Sequence, residues 1–162
     1  RPTDRPFAAR VDSSVAAAAA LEAGAVLVSS NHSGISPTDL FPACARAGAA
    51  VVVGAPADRF ESVRARLVDC AHLAEAAGIP CERIVLEPPL TPTLLPHLRR
   101  FAELGYPVLL TVTEPVLAAL PVHNHAAAVA LAVIDGARLI RTDAVKAATR
   151  VCRVVSAILE AR

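Results

Sequence analysis

Short apolar runs that end at once in a polar or charged residue recur along this chain, and the chemistry open to it is concentrated at those junctions. Val11 is followed by Asp12 and Ser13, Ser29 by Ser30, Asn31 and His32, Val53 by Gly54, Leu86 by Glu87, Leu110 by Thr111 and then Thr113, and Ile140 by Arg141 and then Asp143. Carboxylates, hydroxyls and amides on one rim can exchange hydrogen bonds with a polar heterocycle, and an arginine among them is the natural partner of an anion. Glu87 is the most constrained. The chain leaves a helix through Gly78, crosses a charged turn, runs a short buried strand and delivers the acid beside the rigid Pro88-Pro89.

Each of these residues also has a plainer reading. Asp12 fits the neighbourhood of a helix N-cap, Glu87 fits a solvated loop, and Arg141 beside acids fits a pair with Asp135 or Asp143. His123-Asn124-His125 lacks surrounding ligands and reads as a polar loop rather than a metal site. Lys146, the only lysine, falls in the first turns of the last helix and is expected to face water.

The elements that position these residues alternate strictly. Strands are expected over 7–11, 25–29, 50–53, 84–86, 108–112 and 137–141. Helices are expected over 15–23, about 37–47, about 59–77, near 93–104, 126–134 and 144–161. Ser13 or Ser14 caps the first helix, and Gly24 and Gly48 stop the first two. In the third, Leu67, Cys70, Ala71 and Ala74 form one stripe, and in the last Val145, Ala148, Cys152, Val155 and Leu159 form another. Pro96 is tolerated only in a first turn, and 113–125 is the least regular stretch. Six strand-helix units imply an α/β fold with a parallel sheet, doubly wound or closed as a barrel, whose working groups lie after the carboxyl ends of the strands. No strand is followed by a Gly-rich dinucleotide fingerprint.

Composition narrows the partners. The 162 residues are 54% apolar but only 3% aromatic, so Ala, Val and Leu must build the core of what is expected to be one domain, 1–162. With 16 basic against 15 acidic residues, the net charge of +1 gives neither a basic field for nucleic acid nor an anchor for a membrane surface. No apolar run approaches the roughly 20 residues of a membrane span, and no stretch reads as a secretory leader. Cys44, Cys70, Cys81 and Cys152 form no CxxC pair and read as single thiols in a reducing cytoplasm. A chain that opens Arg1-Pro2-Thr3 without any Met is expected to be part of a longer or processed protein.

The order of these segments resembles the dihydropteroate synthase family, the pterin-binding barrel of folate biosynthesis. Val11-Asp12-Ser13-Ser14 is similar to that family's third-strand signature, and Gly24-Ala25 with Ser33-Gly34 to the segment ending asparagine, aspartate, valine, serine, glycine. Gly78-Ile79, Arg83-Ile84 and Glu87-Pro88 resemble its glycine-isoleucine, arginine-isoleucine and aspartate-proline-glycine. Leu104-Gly105 with Pro107-Val108-Leu109 resembles the strand before its serine-arginine-lysine, and Gly136-Ala137, Ile140-Arg141 and Val145 resemble its last strand.

The resemblance implies a parallel β/α barrel of TIM type, present here as an incomplete barrel of six units, strands three to eight. The two missing units would come from residues before Arg1 or from another chain, so a homo- or hetero-oligomer is expected. Pterin-binding positions fall on Asp12, on Ser30 with Asn31 beside it, and on Glu87, and the anion-binding arginine on Arg141. The family lysine falls at Pro115, the arginine before it at Glu114 and the final histidine at Asp143. No cofactor or metal is expected on this chain itself, although the family uses magnesium. The implied activity is condensation of a pterin pyrophosphate with p-aminobenzoate. The altered positions set beside it a non-catalytic paralogue serving as partner subunit or scaffold and, as a weaker third reading, a folate-binding methyltransferase that needs a corrinoid partner.

Overall fold

A computed structural model describes residues 5–30, 36–120 and 124–161. β1 (Ala8–Val11) leads to α1 (Ser14–Glu22), β2 (Leu27–Ser30) to α2 (Pro37–Ala47), and β3 (Ala50–Gly54) to α3 (Phe60–Ala76). β4 (Ile84–Glu87) leads to α4 (Leu98–Ala102), β5 (Leu109–Thr111) to α5 (Glu114–Ala118) and α6 (His125–Ile134), and β6 (Leu139–Arg141) to α7 (Val145–Glu160).

Local chemistry explains most of these boundaries. The alanine run of α1 starts where the Ser13 side chain accepts from the Ala16 amide at 3.2 Å. α2 begins with Pro37 behind a Ser36 cap and ends on Gly48 at φ +65°. The Asn124 side chain caps α6 through the Ala127 amide. Of the His123-Asn124-His125 tripeptide, His123 lies outside the described residues and the other two open a helix instead of a loop.

Two prolines shift elements. Pro96 sits in a 3-10 turn, Leu95–His97, so the helix expected over 93–104 shrinks to α4. Pro115 lies in the first turn of α5, where no intrahelical amide is needed, and permits a helix in a stretch expected to be irregular. On α7, Ala148 and Val155 are buried as the stripe requires, whereas Val145 is 62% and Leu159 38% exposed.

The strands lie side by side in sequence order. β1 to β4 form one parallel sheet, β5 and β6 a parallel pair, and a parallel bridge between Leu86 and Val108 joins the two. The Leu86 amide donates to the Pro107 carbonyl at 2.8 Å across that junction. A doubly wound sheet would reverse its order at a switch point, and this one does not. The sheet also curls strongly. Lying flat, β2 and β6 would be roughly 19 Å apart at the usual ~4.8 Å spacing, yet Arg141 on β6 donates to Ser29 on β2 at 3.3 Å. No pairing closes β6 onto β1 among the described residues.

The curl separates two apolar layers. Outside, Val28, Val51, Val53, Ile84, Leu86, Val108 and Leu110 pack with Leu40, Val63, Leu67, Phe101 and Val129 of the helices. Inside, Val52, Val85 and Leu109 pack with Leu27 and Leu139 in a small plug of their own. Because strand side chains alternate, the residue two beyond each plug residue shares its face: Ser29, Gly54, Glu87, Thr111 and Arg141. At the other end of the strands, Tyr106 precedes β5 and donates to Glu75 of α3 at 2.9 Å. All four cysteines are free thiols, and burial pushes the Cys44 thiol up to about 11. No helix among the described residues is long and apolar enough to cross a membrane.

Candidate ligand-binding site

The polar residues above the inner plug converge on one carboxylate. Glu87 Oε1 accepts from Arg141 Nη1 at 2.6 Å and from Thr111 Oγ1 at 2.7 Å. The same Arg141 nitrogen lies 3.4 Å from Thr111 Oγ1, and Nη2 donates to Ser29 Oγ at 3.3 Å. Ser29 in turn donates to the Ala9 carbonyl at 3.5 Å and is only 5% exposed. One guanidinium therefore ties β4, β5 and β6 to β2. The Glu87 and Arg141 side chains are 16% and 27% exposed, so their attraction is weakly screened and the contact is a charge-assisted bond of the stronger kind.

Only half of the carboxylate is used. Among the described residues Glu87 Oε2 accepts no hydrogen bond, which leaves it for a donor from outside the protein. A cavity of about 340 Å³ opens beside it, bounded by Glu87, Pro88, Pro89, Thr111, Pro115 and Val116 among others. That is within the range that holds a small heterocyclic ligand. Pro88 is buried and Pro89 half-buried, so the loop holding Glu87 is fixed by packing as well as by its rings.

The other expected residues stand further from this centre. Asp12 is exposed just past β1 on the inner-face parity, and its carboxylate has no partner among the described residues. Ser30 falls on the opposite parity, in register with Val11, and makes no side-chain hydrogen bond among the described residues. Asn31 and His32 lie outside the described residues. Ser13 is committed to capping α1. Neither Asp135 nor Asp143 takes Arg141, contrary to the plainer expectation. Asp135 pairs with Arg99 at 3.6 Å, and Asp143 Oδ2 accepts from the Glu114 amide at 3.3 Å, capping α5 from the next unit. His125 Nε2 contacts Thr142 Oγ1 at 2.7 Å. Arg10, in register with Ser29, shares the inner face and is engaged in an interaction of its own. Sequence reasoning missed Ser29 and Arg10. Arg10 shares the parity of Asp12, whereas Ser29 ends a run without alternation and no pattern marked it.

Among the described residues no three or more His, Cys, Asp or Glu come together to hold a metal.

Solved structures match this arrangement over nearly its whole length. A dihydropteroate synthetase with its product superposes with a TM-score of 0.84 at 22% identity, covering 99% of this chain and 74% of that one. The chain has the dihydropteroate synthase fold. The Xanthomonas albilineans dihydropteroate synthase with 4-aminobenzoic acid gives 0.83 at 28% identity, covering 97% of this chain and 69% of that one. The 7,8-dihydropteroate synthase of Vibrio fischeri gives 0.80 at 20% identity, with 98% and 69% covered. At such identities this is a divergent form of the dihydropteroate synthase fold. No family model matches the sequence, and no curated protein matches it.

Proposed function

We propose that this chain is a dihydropteroate synthase-like protein that binds a pterin-type heterocycle at the carboxyl ends of its strands. Its six units are read as part of a larger β/α barrel of TIM type, in which that end carries the site. The observation that carries the reading is the half-used carboxylate of Glu87. A pterin offers ring and amino N–H donors, and the open Oε2 of Glu87 is a charged acceptor for one of them. Asp12, with Asn31 following β2, is proposed to meet the ring from the β1–β2 side. Similar solved structures contain 4-aminobenzoic acid and 7,8-dihydropteroate, which supports a ligand of this class for this chain.

Titration calorimetry with 6-hydroxymethyl-7,8-dihydropterin tests the reading. Binding should weaken about tenfold or more in Glu87→Gln, the order of one hydrogen bond to a charged acceptor, and Asp12→Ala should weaken it as well. A cooperatively folded sample that takes up no pterin at about 1 mM, the weak limit of specific binding, sinks the proposal and leaves the scaffold reading. The transferase step is a separate question. It also requires groups that stabilise the departing pyrophosphate, and is assayed as pyrophosphate release on addition of p-aminobenzoate.

A further inference from the structure

Resting on the pterin reading above, we infer that Thr111 is a positioning residue of this site, the group that fixes the direction in which Glu87 presents its carboxylate to a ligand. Its hydroxyl stands between the two charges. Thr111 Oγ1 donates to Glu87 Oε1 at 2.7 Å and accepts from Arg141 Nη1 at 3.4 Å, while that nitrogen donates to the same Glu87 oxygen at 2.6 Å. A hydroxyl that accepts from a cation while donating to an anion is polarised in both directions, and each bond strengthens the other. Both anchors grip Oε1, and Oε2 is then the oxygen offered to the ligand.

Strand order explains why this role falls to Thr111. β5 lies between β4 and β6, and Thr111 is in register with Arg141 and one strand away from Glu87. Its backbone is pinned from both sides. Leu110 and Val112 are buried, and the Val112 amide donates to the Arg141 carbonyl at 2.8 Å. A β-branched side chain on such a strand has a stiff χ1, so the place of the hydroxyl follows from the backbone. Glu87 and Arg141 are the reverse case, because each reaches the contact through a stem with several torsions that a single bond between them does not fix. Thr111 also shares with Glu87 the wall of the cavity of about 340 Å³, so the carboxylate is held where a ligand would meet it.

The test is calorimetry with 6-hydroxymethyl-7,8-dihydropterin on the whole chain and on variants that unfold cooperatively in urea. Thr111→Val keeps the shape and removes the hydroxyl, and should weaken binding about tenfold, the order of one hydrogen bond to a charged acceptor. Thr111→Ser keeps the hydroxyl and should recover most of that loss. A double-mutant cycle separates positioning from packing. In Glu87→Ala no carboxylate is left to direct, so adding Thr111→Val should change the affinity by no more than about twofold, the scatter of sites that do not interact. Unchanged binding in Thr111→Val, a serine variant as weak as the valine, or an equal loss with and without Glu87 overturns the inference while the pterin reading stands. A folded parent that takes up no pterin overturns that reading and this inference with it.

Discussion

A guanidinium that donates to side chains on three other strands is hard to replace. Arg141→Met should lower the unfolding free energy by about 2–3 kcal/mol, because Glu87 keeps only Thr111 while its charge stays half-buried. Arg141→Lys should recover little of this in urea denaturation, since a single ammonium cannot span Glu87 and Ser29 as a planar fork does. A lysine variant as stable as the parent would show that Arg141 acts through charge alone. Glu87 and Arg141 were both legible in the sequence because each closes an apolar run. Their partnership was not, since they lie 54 positions apart and Asp143 stood much nearer in the chain. Ser29 was harder still. A strand covered on both faces reads 25–29 as a continuous apolar run, with no alternation to say which of Ser29 and Ser30 points inward.

Among the elements, helices were located well and their ends poorly wherever proline was involved. Pro96 and Pro115 have the same residue type and opposite outcomes: the first delays α4 behind a 3-10 turn, the second starts α5. At α5 the Glu114 amide also donates to Asp143 in the following unit, a contact beyond the reach of any local pattern. The turns themselves invite two measurements. Gly24 and Gly136 both adopt left-handed backbone, at φ +90° and +95°, but an added Cβ meets nothing at the first and the Ala102 Cβ at 2.8 Å at the second. Gly24→Ala should cost about 1 kcal/mol for backbone strain alone, and Gly136→Ala about 1–2 kcal/mol more for the overlap. Equal costs in a denaturant titration would contradict the packing of α4 against that turn. The buried thiol on α2 supplies a pH test. Cys44 ionises near 9 when unfolded and only near 11 in the fold, so its stabilising effect is complete below pH 9. It should fade by roughly 2 kcal/mol as pH rises to about 11, a slope that Cys44→Ala should remove.

For the whole molecule, alternation in the sequence was enough to predict parallel strands, and the observed order distinguishes a curling sheet from a doubly wound one. Alternation alone left the curl open, although the resemblance implied a barrel. The curl depends on the inner plug of Val52, Val85 and Leu109 and on the Arg141 tie, both assembled from distant strands. β2, β3 and β4 have hydrogen-bonded neighbours on both sides, whereas β1 and β6 are bonded on one side among the described residues. Amide hydrogen exchange should therefore be slowest in β3 and β4 and fastest in β1 and β6, and equal protection across all six would mean that the edges are covered in solution. Tyr106, at the far end of the strands from Glu87, adds an optical consequence. The chain has one tyrosine and no tryptophan, and that phenol is bonded to Glu75. Its ultraviolet emission therefore reports on the floor of the molecule, and a fluorescent heterocycle settling beside Glu87 can be followed at longer wavelengths against an almost dark protein background.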